Sequence, residues 1–400
     1  MKNMKTKLLA FLFLFPTIIS NLFTCRNNVN TDNSVFLECT SFCLDNKGYA
    51  IFGSNYDYPE DNTDGLIFVN KRNIIKSFPE NDSLSNHVCW ISKYGSVSFN
   101  LVMSQAAFAG MNEAGLVISV MGLRDSKYPE PDKRPWIHTY LLIQYILDNF
   151  SSVEEILTIG SSMRIYGRTP PYFIPHYLVS DKYCNCAVIE FLNGKMIAHS
   201  GKYLPVKVLT NTIYDNSISE WRKFSAQNKN GQPIPEMNPS MRRFILAADM
   251  ISSYMPLDAQ AAVNSAFNIL QEISGQKIKG SPTLWSMVFD TKNLRIHFKT
   301  IVNSEIRMID VQKLDFSCQS SLKMADINEK LSGDIADDLK EYSSSMHYEH
   351  ALTAANKWKM EITPLELMKQ IRSIEGFACI EDGLSDDKSE NNNHTTKQRE

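Results

Sequence analysis

The segment FLECTSFCLDNKGYAIFGSNYDYPE, residues 36–60, holds two thiols, Cys39 and Cys43, and a carboxylate, Asp57, at the end of NYD. A cysteine that opens a mature chain carries its own base. The α-amine beside it titrates near pH 8 and can take the thiol proton, so no histidine partner is required. None of the eight histidines lies in a motif that would pair it with a cysteine, which favours this arrangement over a papain-like Cys–His pair. Asp57 follows Cys39 by one strand and one turn, so an antiparallel return would bring its carboxylate back to orient the thiol or the ammonium. Taken alone, Asp57 reads equally well as a turn-capping aspartate. Cys43, between Phe42 and Leu44, reads as a buried small hydrophobe.

For Cys39 to come first, everything before it must leave. Residues 1–24 set Lys2, Lys5 and Lys7 ahead of LLAFLFLFPTII, an apolar run too short and too interrupted by Pro16 to span a bilayer, and read as a secretion signal. Cys25, in NLFTC, resembles the lipid-modified cysteine of bacterial lipoproteins, and residues 25–38 read as a leader. A signal peptidase cuts after small residues, whereas Leu37 and Glu38 precede Cys39. Self-cleavage by the Cys39 thiol at the Glu38 carbonyl is therefore expected. The protein is expected to be exported, periplasmic or secreted, and to meet a membrane only through its signal or a lipid on Cys25.

The elements that would position such a thiol follow from pattern. The 400 residues are 43% hydrophobic with a net charge of -3, enough for a large core and without the basic footprint of a nucleic-acid binder. The eight cysteines include no pair of CxxC motifs, and Cys184-x-Cys186 alone lacks zinc-knuckle spacing, so no metal is expected. Their pairing cannot be read from spacing. Short apolar runs from 39 to about 125 predict strands. Helices are predicted in PWIHTYLLIQYILDNF and in SSVEEILTIG, the second capped by Ser151 or Ser152. A second strand block, HYLVSD to VKVLTN, carries an Asn-Gly turn. Helices return in SMRRFILAADMISSYM and DAQAAVNSAFNILQEIS, before a hairpin, TLWSMVFDTKNLRIHFKT. Two groups of strands and two of helices predict a layered α+β body. Residues 320–382 are expected to be a helical extension, and 383–400, nearly devoid of apolar residues, a disordered tail.

In the order CTSFCLDNKGYAIFGSNYD, GMNEAGLVISV, YLVSDKYCNCAVIEFLNGK, VLTNTIYD, SMRRF and TLWSMVFDTKNLRIHFKT, the chain resembles the choloylglycine hydrolase and penicillin V acylase family of N-terminal-nucleophile hydrolases, which includes the conjugated bile salt hydrolases. The resemblance implies a four-layer αββα sandwich over residues 39–319. It implies that Cys39 is the nucleophile, Asp57 its orienting carboxylate, Asn211 an oxyanion donor, Arg243 the positive charge of the site, and a backbone N–H near Val120 to Gly122 the second oxyanion donor. Of the adjacent Arg242 and Arg243, only one is expected to reach the site, because neighbours on a helix face different ways. Trp285 and Tyr177 are expected in the core.

The implied activity is hydrolysis of linear, non-peptide amides without metal or organic cofactor. Its substrate candidates are phenoxyacetyl-type penicillins, glycine or taurine bile conjugates and N-acyl homoserine lactones. The partner expected is thus a small-molecule amide, and the resemblance implies a homo-oligomer, a tetramer in relatives. The family arginine beside the nucleophile is Ser54 here, and the asparagine typical of bile salt hydrolases is absent near Val120 to Gly122, which weakens a bile-salt assignment. A secreted binding protein that keeps the fold without turnover, and a lipid amidase acting on N-acylethanolamine- or ceramide-like substrates, are the alternative readings.

Overall fold

The computed structural model describes residues 38–380 except 47, 59–62, 78–85, 102, 168–174, 228–233, 279–280, 358–362 and 374–377. The expected signal (1–24), Cys25, the leader up to residue 37 and the 383–400 tail lie outside the described residues.

Strands are labelled in chain order: β1 Glu38–Asn46, β2 Tyr49–Asp57, β3 Leu66–Asn70, β4 Ser96–Asn100, β5 Ala107–Asn112, β6 Val117–Gly122, β7 Pro175–Ser180, β8 Cys186–Leu192 and β9 Lys195–Ser200. After them come β10 Val208–Leu209, β11 Thr283–Asp290, β12 Arg295–Thr300, β13 Arg307–Asp310, β14 Lys323–Asp326, β15 Gly333–Asp334 and β16 Lys340–Glu341. The longer helices are α1 Leu142–Asn149, α2 Tyr214–Gln227, α3 Pro239–Ser252, α4 Ala259–Glu272, α5 Ser344–Lys357 and α6 Pro364–Ser373. One sheet has seven strands, in the order β10-β1-β2-β11-β12-β13-β15, and the other nine, β9-β8-β7-β6-β5-β4-β3-β14-β16.

The two large sheets pack face to face mainly through apolar side chains, with Ser41, Ser54 and Ser119 hydrogen-bonded between them. Phe289 and Phe298 of the seven-stranded sheet meet Phe99 of the nine-stranded one edge to face, with centroids 6.1 Å and 5.4 Å apart, and Phe52 packs edge-on against Phe289 within its own sheet. All are fully buried. Each such ring removed from water contributes on the order of 2 kcal/mol. The outer face of the seven-stranded sheet is covered by α3 and α4, and that of the nine-stranded sheet by α1. This is the expected αββα sandwich. Gly53 permits a close approach on the helix-facing side of β2: a Cβ there would lie 2.4 Å from the ring of Phe42, its partner across β1.

Several local expectations hold. Ser152 caps Val153–Ile156 in a capping box with Glu155. Asn193 and Gly194 turn the β8–β9 hairpin with φ of 52° and 75°.

Others need correction. The helix expected across PWIHTYLLIQYILDNF begins only at Leu142, because Trp136–His138 pairs in parallel with Arg164–Tyr166. The 320–382 extension is helical only from Ser344. Its first part supplies β14, β15 and β16 to the two sheets. Helix α5 then lays His347 on Phe68, their rings 5.2 Å apart, which covers the far end of the nine-stranded sheet. A disulfide between Cys318 and Cys379 returns the chain to the body, where Cys379 bridges Ile74 and Ala378 O accepts from Ile75 N. Helix α2 was not expected at all.

Candidate active site

The β1–β2 hairpin sets the register of the site. Cys39 lies opposite Tyr56 and Glu38 opposite Asp57. Because side chains alternate along a strand, Cys39, Ser41, Ser54 and Tyr56 face the nine-stranded sheet, while Glu38, Asn55 and Asp57 face the helices. Asn55 accordingly donates to Leu270 O of α4, and Ser54 and Ser119 share a hydrogen bond of 2.8 Å.

Strand β10 pairs with β1 on its other side, Ser41 opposite Leu209. Two residues further along that antiparallel register, Asn211 arrives opposite Cys39. Its Oδ1 accepts from Cys39 N at 2.9 Å and from Arg243 Nη2 at 2.7 Å. Arginine has only donors, so the atom it touches is the amide oxygen, and Nδ2 is left to donate to Gly122 O at 2.9 Å. The end of β6 thus reaches the site, but where a backbone N–H of Val120 to Gly122 was expected, the group that meets Asn211 is the Gly122 carbonyl.

Helix α3 delivers Arg243. Asn238 caps the helix by accepting from Ser240 N at 2.8 Å, and Pro239 occupies its first turn, where a missing N–H costs nothing. Ser240 Oγ accepts from Asn211 N at 2.9 Å and donates to Thr210 Oγ1 at 3.0 Å. One hydroxyl therefore locks the Asn211 turn to the helix that carries the arginine. Arg243 is fully buried, whereas Arg242 is partly exposed. Besides Asn211, Arg243 Nη1 donates to Glu38 Oε2 at 3.2 Å and lies 3.9 Å from Asp57 Oδ2.

Burial dominates the electrostatics. It pushes the Cys39 thiol far above its ordinary range, the Asp57 charge adds to this, and the Asp57 N–H and Arg243 offset only part of it. A thiol held protonated this way needs a base close by. Asp57 is pushed up to about 7, chiefly by burial. Arg243 and the Thr283 hydroxyl, which donates to Oδ1 at 2.6 Å, pull the other way, and Glu38 adds to the rise. Tyr56, beside the thiol, packs against Trp285 (4.6 Å) and Phe108 (5.1 Å), an apolar wall.

Cys39, Asp57, Asn211 and Arg243 are thus brought together. Glu38, Thr283 and Ser240 join them without a signal in the sequence beyond the position of Glu38 just before the thiol. Ser54, where family relatives carry an arginine, spends its hydroxyl on Ser41 and Ser119. Trp285 and Tyr177 are fully buried core aromatics. Cys43 is buried, its thiol beside that of Cys186 and raised mainly by burial.

Comparison with known proteins places the fold and the family. The model of the family described as linear amide C-N hydrolases, choloylglycine hydrolase family, matches residues 39–324. Penicillin V acylase of Pectobacterium atrosepticum is 26% identical over 323 residues, 71% of this chain and 84% of that protein. The structure of penicillin V acylase from Agrobacterium tumefaciens superposes with a TM-score of 0.66 at 26% identity, over 76% of this chain and 98% of the other. A variant of the conjugated bile acid hydrolase from Clostridium perfringens shares the fold, with a TM-score of 0.61 at 20% identity over 74% and 98% of the two chains. This chain, with Cys39 at the first position of the matched region, belongs to the choloylglycine hydrolase family of linear amide C-N hydrolases.

Proposed function

We propose that the mature protein begins at Cys39 and hydrolyses a linear, non-peptide amide by acyl transfer through that thiol, with phenoxyacetyl-type penicillins as its preferred class. The α-amine takes the thiol proton as Sγ attacks the carbonyl carbon, Asn211 Nδ2 and a backbone N–H receive the charge on the oxygen, and the protonated amine returns its proton to the leaving nitrogen. Water, activated by the same amine, then hydrolyses the thioester, releasing the acid and the thiol. Asp57 orients the ammonium, and Arg243 holds the Asn211 oxygen and supplies positive charge.

The observation that carries this reading is the contact of Cys39 N with Asn211 Oδ1 at 2.9 Å, an acceptor set where a free α-amine would need one. The raised thiol supports it, since a buried thiol without histidine needs an attached base. Preference within the class rests on the similarity to two penicillin V acylases, each 26% identical to this chain. The test is a hydrolysis panel on the processed protein: penicillin V, glycine and taurine bile conjugates, acyl homoserine lactones, N-acylethanolamines and a denatured protein. Turnover of a linear amide that is lost in Cys39→Ala supports the proposal. Turnover that survives Cys39→Ala, or only of denatured protein, overturns it.

A further inference from the structure

Glu38 stands just before the matched region, and its side chain is held by two contacts from distant parts of the chain. Its Oε2 accepts from Arg243 Nη1 at 3.2 Å and from Ser281 N at 3.0 Å, groups 205 and 243 residues away in sequence. Its backbone opens β1, paired in register with Asp57. An inert spacer would have no reason to engage the buried arginine of the site. Arg243 otherwise donates to Asn211 and lies 3.9 Å from Asp57, and its Nε makes no hydrogen bond among the described residues, so Glu38 is the acceptor that its Nη1 has in this chain.

We propose that Glu38 is the positioning residue for the chain's own processing: Arg243 and the Ser281 N–H clasp its carboxylate and so hold the Glu38–Cys39 peptide for attack by the Cys39 thiol. This rests on the reading of Cys39 as an N-terminal nucleophile. In the step, Sγ bonds to the Glu38 carbonyl carbon, the peptide C–N bond breaks, and the Cys39 nitrogen takes up the proton that the thiol gives up, becoming a free amine. Water then hydrolyses the thioester, leaving residues up to Glu38 as a free acid and restoring the thiol. Throughout, Cys39 N is held by Asn211, the contact that serves the amine afterwards.

The clasp also makes the precursor latent. While Glu38 remains, it takes an Nη1 contact of Arg243 shorter than that of Asp57, and its charge opposes ionisation of Asp57. Once it leaves, Asp57 becomes the carboxylate nearest the guanidinium, and a new ammonium stands beside both. Cleavage thus supplies the base and transfers the arginine in one event.

The test follows full-length Glu38→Ala, Glu38→Gln and Glu38→Asp chains by intact mass over time, with circular dichroism to confirm folding. Glu38→Ala should process about 10- to 100-fold more slowly, as expected when a charge-assisted contact that positions the scissile bond is removed. Glu38→Gln, which keeps an acceptor for Ser281 N but loses the charge, should fall between. Whatever fraction of each variant is processed should show wild-type kcat, because the mature chain no longer contains residue 38. Folded Glu38→Ala and Glu38→Gln chains that process at the wild-type rate would overturn the clasp and leave the proposed function intact. A wild-type chain that turns over amides with residue 38 still attached would overturn that function itself.

Discussion

Two buried carboxylates show how this fold separates chemistry from structure. Glu190, on β8, accepts from Tyr214 N at 3.0 Å and pairs with His176 at 3.1 Å and His199 at 3.4 Å. Burial alone would raise it, but these partners outweigh that penalty and hold it down to about 2. Asp57 has one hydroxyl on Oδ1, no hydrogen bond on Oδ2 among the described residues, and an arginine at 3.9 Å that is shared with Glu38 and Asn211. There burial wins. A carboxylate set between two histidines and a backbone N–H is a brace, even though its Oε2 meets His199 only as a 3.4 Å contact and not as a hydrogen bond. An under-partnered one can respond when an ammonium appears beside it, as processing would provide. The two regions are linked, since His176 Nε2 lies 2.6 Å from the Thr210 carbonyl, next to Asn211.

Substitutions should therefore part along this line. Glu190→Ala, which strands two histidines in the interior, should cost about 3–5 kcal/mol of stability in chemical denaturation. A loss within experimental error would show that the brace carries no load. Asn211→Ala should lower kcat by about 10² to 10³-fold in the folded protein, alongside a loss of stability from the acceptor taken from the buried Arg243. Near-full kcat in that variant would reduce Asn211 to a turn residue.

The two carboxylates should also differ in the sign of their pH dependence. The Asp57 folded-state pKa is raised, so its contribution is fully present below about pH 3.8 and is lost as pH rises through about 7. That of Glu190 is depressed, so its contribution is present above about pH 4.5 and is lost as pH falls through about 2. In a Cys39→Ala background, which keeps Glu38 in place, the stability advantage of Asp57 over Asp57→Asn should shrink from pH 4 to pH 7 and then level off. A pH-independent difference would contradict the account of Asp57. The smallest effect concerns substrate: kcat/KM for penicillin V should exceed that for a taurine conjugate by about tenfold, the worth of about one hydrogen bond and the direction that the proposed preference requires. A higher value for the taurine conjugate would overturn that preference.

How much of this was legible follows the physics of each element. The hairpins announce themselves, because Asn193-Gly194 can adopt the left-handed turn that their twist requires. In the Thr-Lys-Asn turn the left-handed residue is Leu294, φ 55°, a choice made by packing rather than propensity. Helix α2 was illegible because only Tyr214, Ser217 and Ile218 are buried in it, too little for an apolar stripe. The strands of the extension run two to four residues, below any readable period. The Cys318–Cys379 pairing has no signature in spacing.

At the site, Cys39 and Asp57 could be suspected from their types and separation alone. Asn211 and Arg243 needed the family resemblance, because the contacts that unite them span 172 and 205 residues of sequence. Ser240, Thr283 and Glu38 act through hydrogen bonds that any serine, threonine or glutamate could make, so only coordinates reveal them.

The most direct test is the N-terminus of the active protein. Wild-type protein that starts at Cys39 is separated from any longer form, each fraction is assayed on penicillin V, and its first residue is read by sequencing and intact mass. Activity should reside wholly in the chain that begins at Cys39, and Cys39→Ala should accumulate as a longer, inactive chain that still carries Glu38. Full activity in a fraction that retains Glu38 would contradict the account, because Cys39 N would then be an amide, unable to serve as the base.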